Sequence, residues 1–214
     1  SIALALIVIA IVTSVILLNK NKKNPVNNTT KKDDNQSVEV KKVKIVNEDS
    51  TSRPFAVMIN NISVARTLQS GLQDAYLMYE IIVEGGISRY FALFIDQSTE
   101  RIGSIRSARH YFVDDAVEND AIYVHFGRSP QAQSDISKLG VNNINGITAG
   151  ESSKTFWRVK EKSAPHNAVT NTSNILEMAK KKNYSTTSNK KSVLNYVSEN
   201  VQLDEGEKAN SVTI

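Results

Sequence analysis

Arg106 and Arg109 stand three residues apart in the run Ser104-Ile-Arg-Ser-Ala-Arg109. On a helix this spacing puts both side chains on one face. Guanidinium forks pair well with carboxylates and phosphates. The run leads into an expected helix that extends to about Val117, so both arginines fall near its start. Free N–H groups and the helix dipole favour an anion there. Arg89, just past a Gly-Gly turn, and Arg158 are candidates to join them. The chemistry on offer is anion binding. The competing reading is internal, with the same arginines paired to Glu80, Glu84, Asp114 or Asp115 to hold the fold.

Histidine offers a second chemistry. His110, His125 and His166 are 15 and 41 residues apart. Neither spacing matches a zinc signature, and no His-x-x-x-His pattern is present, so no metal site is expected. His125 sits in an apolar run and reads as a core histidine. His166, in Pro165-His-Asn167, opens an expected strand after a polar loop. It is the candidate general acid–base group, with Glu84 or Asp114 as its acidic partner. Carboxylate pairs serve glycoside hydrolysis, but Glu80 with Glu84, and the cluster Asp114, Asp115, Glu118 and Asp120, also fit solvated faces. The sequence has no Gly-x-Ser-x-Gly elbow, no phosphate-binding P-loop and no Gly-x-Gly-x-x-Gly, and no cofactor is expected. Ser70, Ser107 and Ser129 read as caps and turns. Trp157, between Phe156 and Arg158, is expected in the core; the other reading is a surface platform for a sugar or peptide.

Positioning these groups requires a folded body, and its elements are readable. Phe55–Ile59 is a buried strand after Pro54, ended by Asn60-Asn61. Tyr76–Val83 and Ile87–Ile95 are strands rich in Ile, Val, Tyr and Phe, and Glu84-Gly85-Gly86 between them predicts an antiparallel hairpin. Ser70–Ala75 reads as a loop entering a short helix. Asp120–Phe126 is an interior strand. Ser129-Pro130 starts a helix that Gly140 ends. Asn145-Gly146 is a turn. His166–Thr170 is a strand, and Asn171 or Thr172 caps a helix through Lys182. Beyond Tyr184 the pattern decays, with a weak helical piece at Val193, Leu194 and Val197. Irregular alternation with an antiparallel pair predicts a mixed α/β architecture, an α+β sandwich.

Composition bounds the rest. The 214 residues are 40% hydrophobic and 22% charged and include no cysteine, which removes disulfides, thiol nucleophiles and a lipid-modified cysteine. The net charge of +4 is uneven. Residues 1–45 carry eight lysines against Asp33, Asp34 and Glu39, whereas residues 46–214 hold 18 basic and 19 acidic groups. The basic excess is in the tail, so nucleic acid is not an expected partner. Ile2–Leu18 is apolar apart from Thr13 and Ser14. At ~1.5 Å per residue it nearly spans a hydrocarbon core of roughly 30 Å. It lacks a small-x-small cleavage site. The expected organisation is a transmembrane signal anchor at 1–18, a disordered Lys/Asn-rich tether at 19–45, a folded domain at 46–184, and a connection at 185–214 toward a further C-terminal domain. The cytoplasmic membrane is the expected partner of residues 2–18.

Several runs together resemble the N-terminal domain of the YerB-like family of bacterial lipoproteins. They are Arg53-Pro-Phe-Ala-Val-Met-Ile-Asn-Asn61, Gln69-Ser-Gly-Leu72, Tyr79-Glu80, Val83-Glu-Gly-Gly-Ile-Ser-Arg89 and Gly103-Ser-Ile-Arg-Ser-Ala-Arg109. Tyr123-Val-His125, Gly127-Arg-Ser-Pro-Gln131, Phe156-Trp-Arg158 and Ala164-Pro-His-Asn167 complete the set, in collinear order over roughly residues 53–184. The resemblance implies an envelope protein, mainly of Gram-positive bacteria, whose members usually carry a second, C-terminal domain. It brings no established catalytic residue. The positions it marks are Glu84, Arg89, Arg106, Arg109, His125, His166 and Asn167. Two departures stand out: the family's lipid-anchored cysteine is absent, and Arg66-Thr-Leu-Gln69 is about one residue longer than the family's Arg-Pro-Gln pattern. The resemblance puts the body outside the cytoplasmic membrane, whereas Lys20, Lys22 and Lys23 beside the span favour the opposite orientation. The expected function is a membrane-anchored extracytoplasmic binding or regulatory module that recognises an anionic cell-wall component. The alternatives are an envelope hydrolase using His166 with an acidic residue, and a scaffold for a membrane protein partner.

Overall fold

The structure is a computed structural model that describes residues 46, 47, 49–196 and 211. The expected anchor and tether, and the connection beyond residue 196 apart from residue 211, lie outside the described residues, and Val46, at the start of the expected domain, is buried. Among the described residues no helix is long and apolar enough to cross a membrane.

In chain order the elements are β1 (Phe55–Asn60), α1 (Ser63–Arg66), β2 (Leu77–Ile82), β3 (Ser88–Phe94), β4 (Ile102–Gly103), α2 (Tyr111–Glu118), β5 (Ile122–His125), α3 (Pro130–Lys138), β6 (Asn143–Asn145), α4 (Ser152–Thr155), β7 (Trp157–Arg158), β8 (Ala168–Thr170) and α5 (Thr172–Lys181). A five-stranded sheet has the order β2-β3-β1-β5-β6. β3 runs antiparallel to both β2 and β1, while β1, β5 and β6 are parallel. A three-stranded antiparallel sheet has the order β4-β8-β7. The mixed α/β class and the antiparallel hairpin are as the sequence predicts.

Alternation along β1 divides the core. Ala56 and Met58 join Phe91, Leu93, Phe112, Val113, Tyr123, Ala132 and Ile136, so α2 and α3 cover one face of the large sheet. Val57 and Ile59 join Phe94, Ile102, Val124, Ile144, Phe156, Ile175 and Met178, so the small sheet and α5 cover the other. Phe91 anchors the first layer, stacked on Phe112 at 5.7 Å between centroids and edge-on to Tyr123 at 5.4 Å. Offset and edge-on pairs of this kind add to the burial term. The hairpin turn at Glu84–Gly86 needs its glycines for backbone reasons alone. Gly85 and Gly86 have φ of 74° and 69°, and a side chain there would meet nothing within 4 Å.

Two helix starts are capped as the sequence predicts. The Ser129 hydroxyl accepts from the Ala132 N–H at 3.2 Å, ahead of Pro130, and the Asn171 side-chain Oδ1 accepts from the Asn174 N–H at 2.7 Å. Replacing Asn171 by Ala is expected to lower stability by about 1 kcal/mol, which denaturant unfolding would register.

Four local expectations need correction. The helix that follows the run Ser104–Arg109 begins only at Tyr111, so neither Arg106 nor Arg109 lies on it. Residues 104–108 are not helical, because their backbone groups find partners on β1, on β8 and at Phe126 and Gly127 just past β5. His166 does not open a strand; it lies in the turn before β8. Trp157 is not in the core. It is 37% exposed on the short edge strand β7, and its neighbour Phe156 fills the core position. Val193 and Leu194 form a bend, not a helical piece.

Candidate functional site

The site forms where β1 and β5 separate. They pair in parallel only at Phe55–Val57 and Ile122–Val124. Beyond that point the segment Ser104–Ala108 runs between them. The Asn60 N–H donates to the Ser104 carbonyl at 2.8 Å, the Arg106 N–H to the Met58 carbonyl at 2.9 Å, and the Phe126 N–H to the Arg106 carbonyl at 2.9 Å. The Ile105 N–H reaches the Ala168 carbonyl at 2.7 Å, and the Ala108 N–H the Gly127 carbonyl at 2.9 Å. Arg106 is therefore pinned on both sides at the carboxyl ends of two parallel strands. At this point β1 has an antiparallel neighbour on one side and a parallel one on the other. Open α/β sheets bind ligands outside the carboxyl ends of their parallel strands.

Three of the four predicted arginines gather here. Arg89 opens β3, opposite Asn60, and is only 3% exposed. Its Nη1 donates to the Ser107 carbonyl. Burial pulls its pKa down to about 10, and the charges of Arg109 and Arg106 push the same way, against Glu84. Arg106 is half-buried, and its pKa is lowered by burial first and by Arg109 second. Arg109 pairs through Nε with Glu84, and its Nη1 donates to the Ala108 carbonyl at 2.9 Å. This pair matches the internal reading of the sequence, but it accounts for one arginine only. Among the described residues the Arg106 guanidinium has no hydrogen bond and no ion pair. Three guanidinium groups thus share one carboxylate. Mutual repulsion and loss of water both disfavour such a cluster, and a bound anion relieves both.

His166 joins the edge of this cluster. Its Nδ1 accepts from the Asn60 side-chain amide at 3.0 Å, which leaves the proton of the neutral ring on Nε2. Burial and the nearby charge of Arg106 lower its pKa, so the ring is neutral near pH 7. Arg109 holds the Glu84 carboxyl below the usual carboxylate range. Asp114 lies exposed in the first turn of α2. Among the described residues no hydrogen bond joins His166 to Glu84 or Asp114. Arg158 stands apart from the three. Its guanidinium lies over the Phe126 ring at 4.8 Å, and its Nη1 donates to the Asn167 side-chain Oδ1 at 2.7 Å.

His125 is a core group, as the sequence indicates. It is fully buried, with Nδ1 bonded to the Gly127 carbonyl at 2.8 Å, and burial pulls its pKa down to about 4. Among the described residues no group of His, Asp or Glu is arranged to hold a metal. A cavity of about 600 Å³ is lined by residues between Val46 and Pro54 and between Ser188 and Tyr196, with Tyr76, Ile95 and Asn119, and by none of the arginines. Sequence reasoning missed Asn60 and Tyr111. Asn60 read only as a turn signal, yet it orients His166. Tyr111, at the start of α2, feels the charges of Glu84, Arg109 and Arg89.

Residues 42–185 match the family described as the N-terminal domain of a protein of unknown function, DUF3048. The chain belongs to this family. It is 39% identical over 132 residues to the Bacillus subtilis (strain 168) protein named "Putative lipoprotein YerB", an alignment covering 62% of this chain and 39% of that protein. The crystal structure of YerB from Bacillus subtilis is similar, with a TM-score of 0.59 and 38% identity over 64% of this chain and 46% of that one. The chain therefore spans less than half the length of the relatives it matches. The resemblance carried by the arginine, glycine and histidine runs is borne out.

Proposed function

We propose that this DUF3048 domain is a membrane-tethered module of the bacterial cell envelope that binds an anionic wall component through Arg89, Arg106 and Arg109. The observation that carries the reading is the half-buried Arg106 guanidinium, unpaired among the described residues beside two further arginines and one carboxylate. A peptide-stem carboxylate or a wall-polymer phosphate supplies the missing charge and accepts bidentate hydrogen bonds. The apolar span at Ile2–Leu18, the polar tether behind it and the lipoprotein name of the Bacillus subtilis relative support the location. In this reading the folded body faces outward.

The test is co-sedimentation of the full chain, kept in solution with a mild non-ionic detergent, with purified cell-wall sacculi. The chain is expected in the pellet, and chromatography of the supernatant is expected to show no released fragments. Arg109→Lys is expected to weaken binding several-fold at unchanged melting temperature, because Lys cannot reproduce the guanidinium fork. Released fragments that disappear with His166→Ala would replace this reading with the hydrolase. Absence of both binding and release would turn attention to a membrane protein partner.

A further inference from the structure

A second constellation lies on the other side of the β1 terminus, around Asn61. This side chain is 4% exposed and saturated on both atoms. Its Nδ2 donates to Glu80 Oε1 at 3.1 Å and to the Ser88 hydroxyl at 2.8 Å. Its Oδ1 accepts from Arg66 Nε at 3.3 Å and from Gln69 Nε2 at 3.0 Å. The Ser88 hydroxyl also donates to Glu80 Oε1 at 2.5 Å, and Arg66 Nε reaches the Asn61 carbonyl at 3.2 Å. One buried amide therefore holds a carboxylate with one hand and a guanidinium with the other.

Both charged groups line one cleft of about 380 Å³, with Ile62, Ile82 and Ile87 among its apolar walls. That volume is at the lower end of ligand pockets, roughly 300–1,000 Å³. Among the described residues Glu80 Oε2 and the Nη groups of Arg66 have no hydrogen-bond partner, and the two residues form no ion pair with each other. Opposite charges on free surface side chains usually drift together or into solvent. Here each is tethered by its inner atom, so its outer atoms are presented to the same space. Preorganised groups of this kind lose less freedom when a ligand arrives.

We infer that this cleft binds a small zwitterion, an amino acid or short unblocked peptide, with Glu80 receiving the ammonium group and Arg66 the carboxylate. The isoleucines provide the surface for an apolar side chain. Neither charge of the ligand suffices alone, since the free charge of the opposite wall would then stay unmatched. This site is separate from the arginine cluster and does not depend on it.

NMR titration of the full chain in detergent, read at the Asn61 side-chain amide that is bonded to Glu80 and Ser88, tests the assignment at this cleft alone, with alanine and alanyl-alanine as probes. Binding in the millimolar range is expected for at least one of them. Alaninamide and N-acetylalanine, each lacking one charge, are expected to bind about tenfold more weakly or worse. Glu80→Gln keeps an acceptor for Asn61 and Ser88 but removes the charge, and Arg66→Met removes the other. Each is expected to weaken the zwitterion by a similar factor, while Arg106→Ala leaves it unchanged. Absence of binding by both probes, N-acetylalanine or alaninamide binding as tightly as alanine, or affinity equal to the parent's in Glu80→Gln and in Arg66→Met would overturn the inference. The ligand series uses the parent chain alone, so a variant that fails to fold does not blunt the test. Loss of alanine binding in Arg106→Ala would overturn the separateness of the two sites.

Discussion

The Arg106→Ala/Arg109→Ala chain is expected to bind sacculi about a hundredfold more weakly than the parent, at nearly unchanged stability. Each charge-assisted hydrogen bond to an anion contributes about 1.5–3 kcal/mol, so losing two exceeds the ~2.8 kcal/mol that corresponds to a hundredfold change. Removing Arg109 also frees the Glu84 carboxylate, which then repels the ligand. Stability changes little because Glu84 is 63% exposed and its pair with Arg109 contributes at most about 1 kcal/mol. Loss of two cations beside buried Arg89 partly compensates. Pelleting at graded protein concentrations, with thermal unfolding of both chains, checks both halves. Added salt is expected to weaken the parent more than the variant, because it screens the charges that only the parent retains.

Acidification from about pH 7 to about pH 4 is expected to cost roughly 3 kcal/mol of stability through His125 alone. Burial holds this ring neutral down to about pH 4, whereas the unfolded chain takes up the proton near 6.5. Above that value both states are neutral and the residue adds no pH dependence. Between about 6.5 and 4 the unfolded state binds the proton and the folded state does not. Stability therefore falls by about 1.4 kcal/mol per pH unit and levels off below about pH 4. Glu84, whose pKa is lowered in the fold, adds a smaller loss in acid, and Asp115, raised by burial, acts in the opposite direction. Urea unfolding across this range, for the parent and for His125→Asn, separates the contributions. The variant is expected to show a shallower slope between about pH 6.5 and 4, whatever its stability at neutral pH. Equal slopes would assign the acid sensitivity elsewhere.

Much of this fold is legible in the sequence where the cause is local. Glu84-Gly85-Gly86 can only be a turn between its two apolar runs, so the hairpin and the placement of Arg89 at its far side follow. Ser129-Pro130 and Asn171 announce helices because capping is a matter of a few adjacent atoms. The grouping of Arg89, Arg106 and Arg109 was readable too, but for a different reason from the true one. Spacing suggested one face of a helix. The structure instead threads Ser104–Ala108 between two diverging strands, where backbone partners on Met58, Phe126 and Gly127 outweigh local helical preference. Which of two adjacent aromatics fills the core is equally a tertiary matter, decided at Phe156 and Trp157 by how β7 meets β8. The Asn61 network was invisible because it requires β1, β2, β3 and the loop after α1 to converge. Asn61, Glu80 and Ser88 read singly as a turn residue, an acid and a strand residue.

The most direct test of the central claim needs no variant. Assigned side-chain Nε–H signals of the arginines, followed by NMR while inorganic phosphate and then acetate are titrated into the full chain, report where an anion sits. Saturable shifts in the millimolar range are expected at Arg106, with Arg89 and Arg109 following, and smaller linear drifts at Arg53 and Arg101, whose guanidinium groups already pair with Asp120 and Glu161. Shifts of equal size at all arginines, or none at Arg106, would contradict an anion site at the carboxyl ends of β1 and β5.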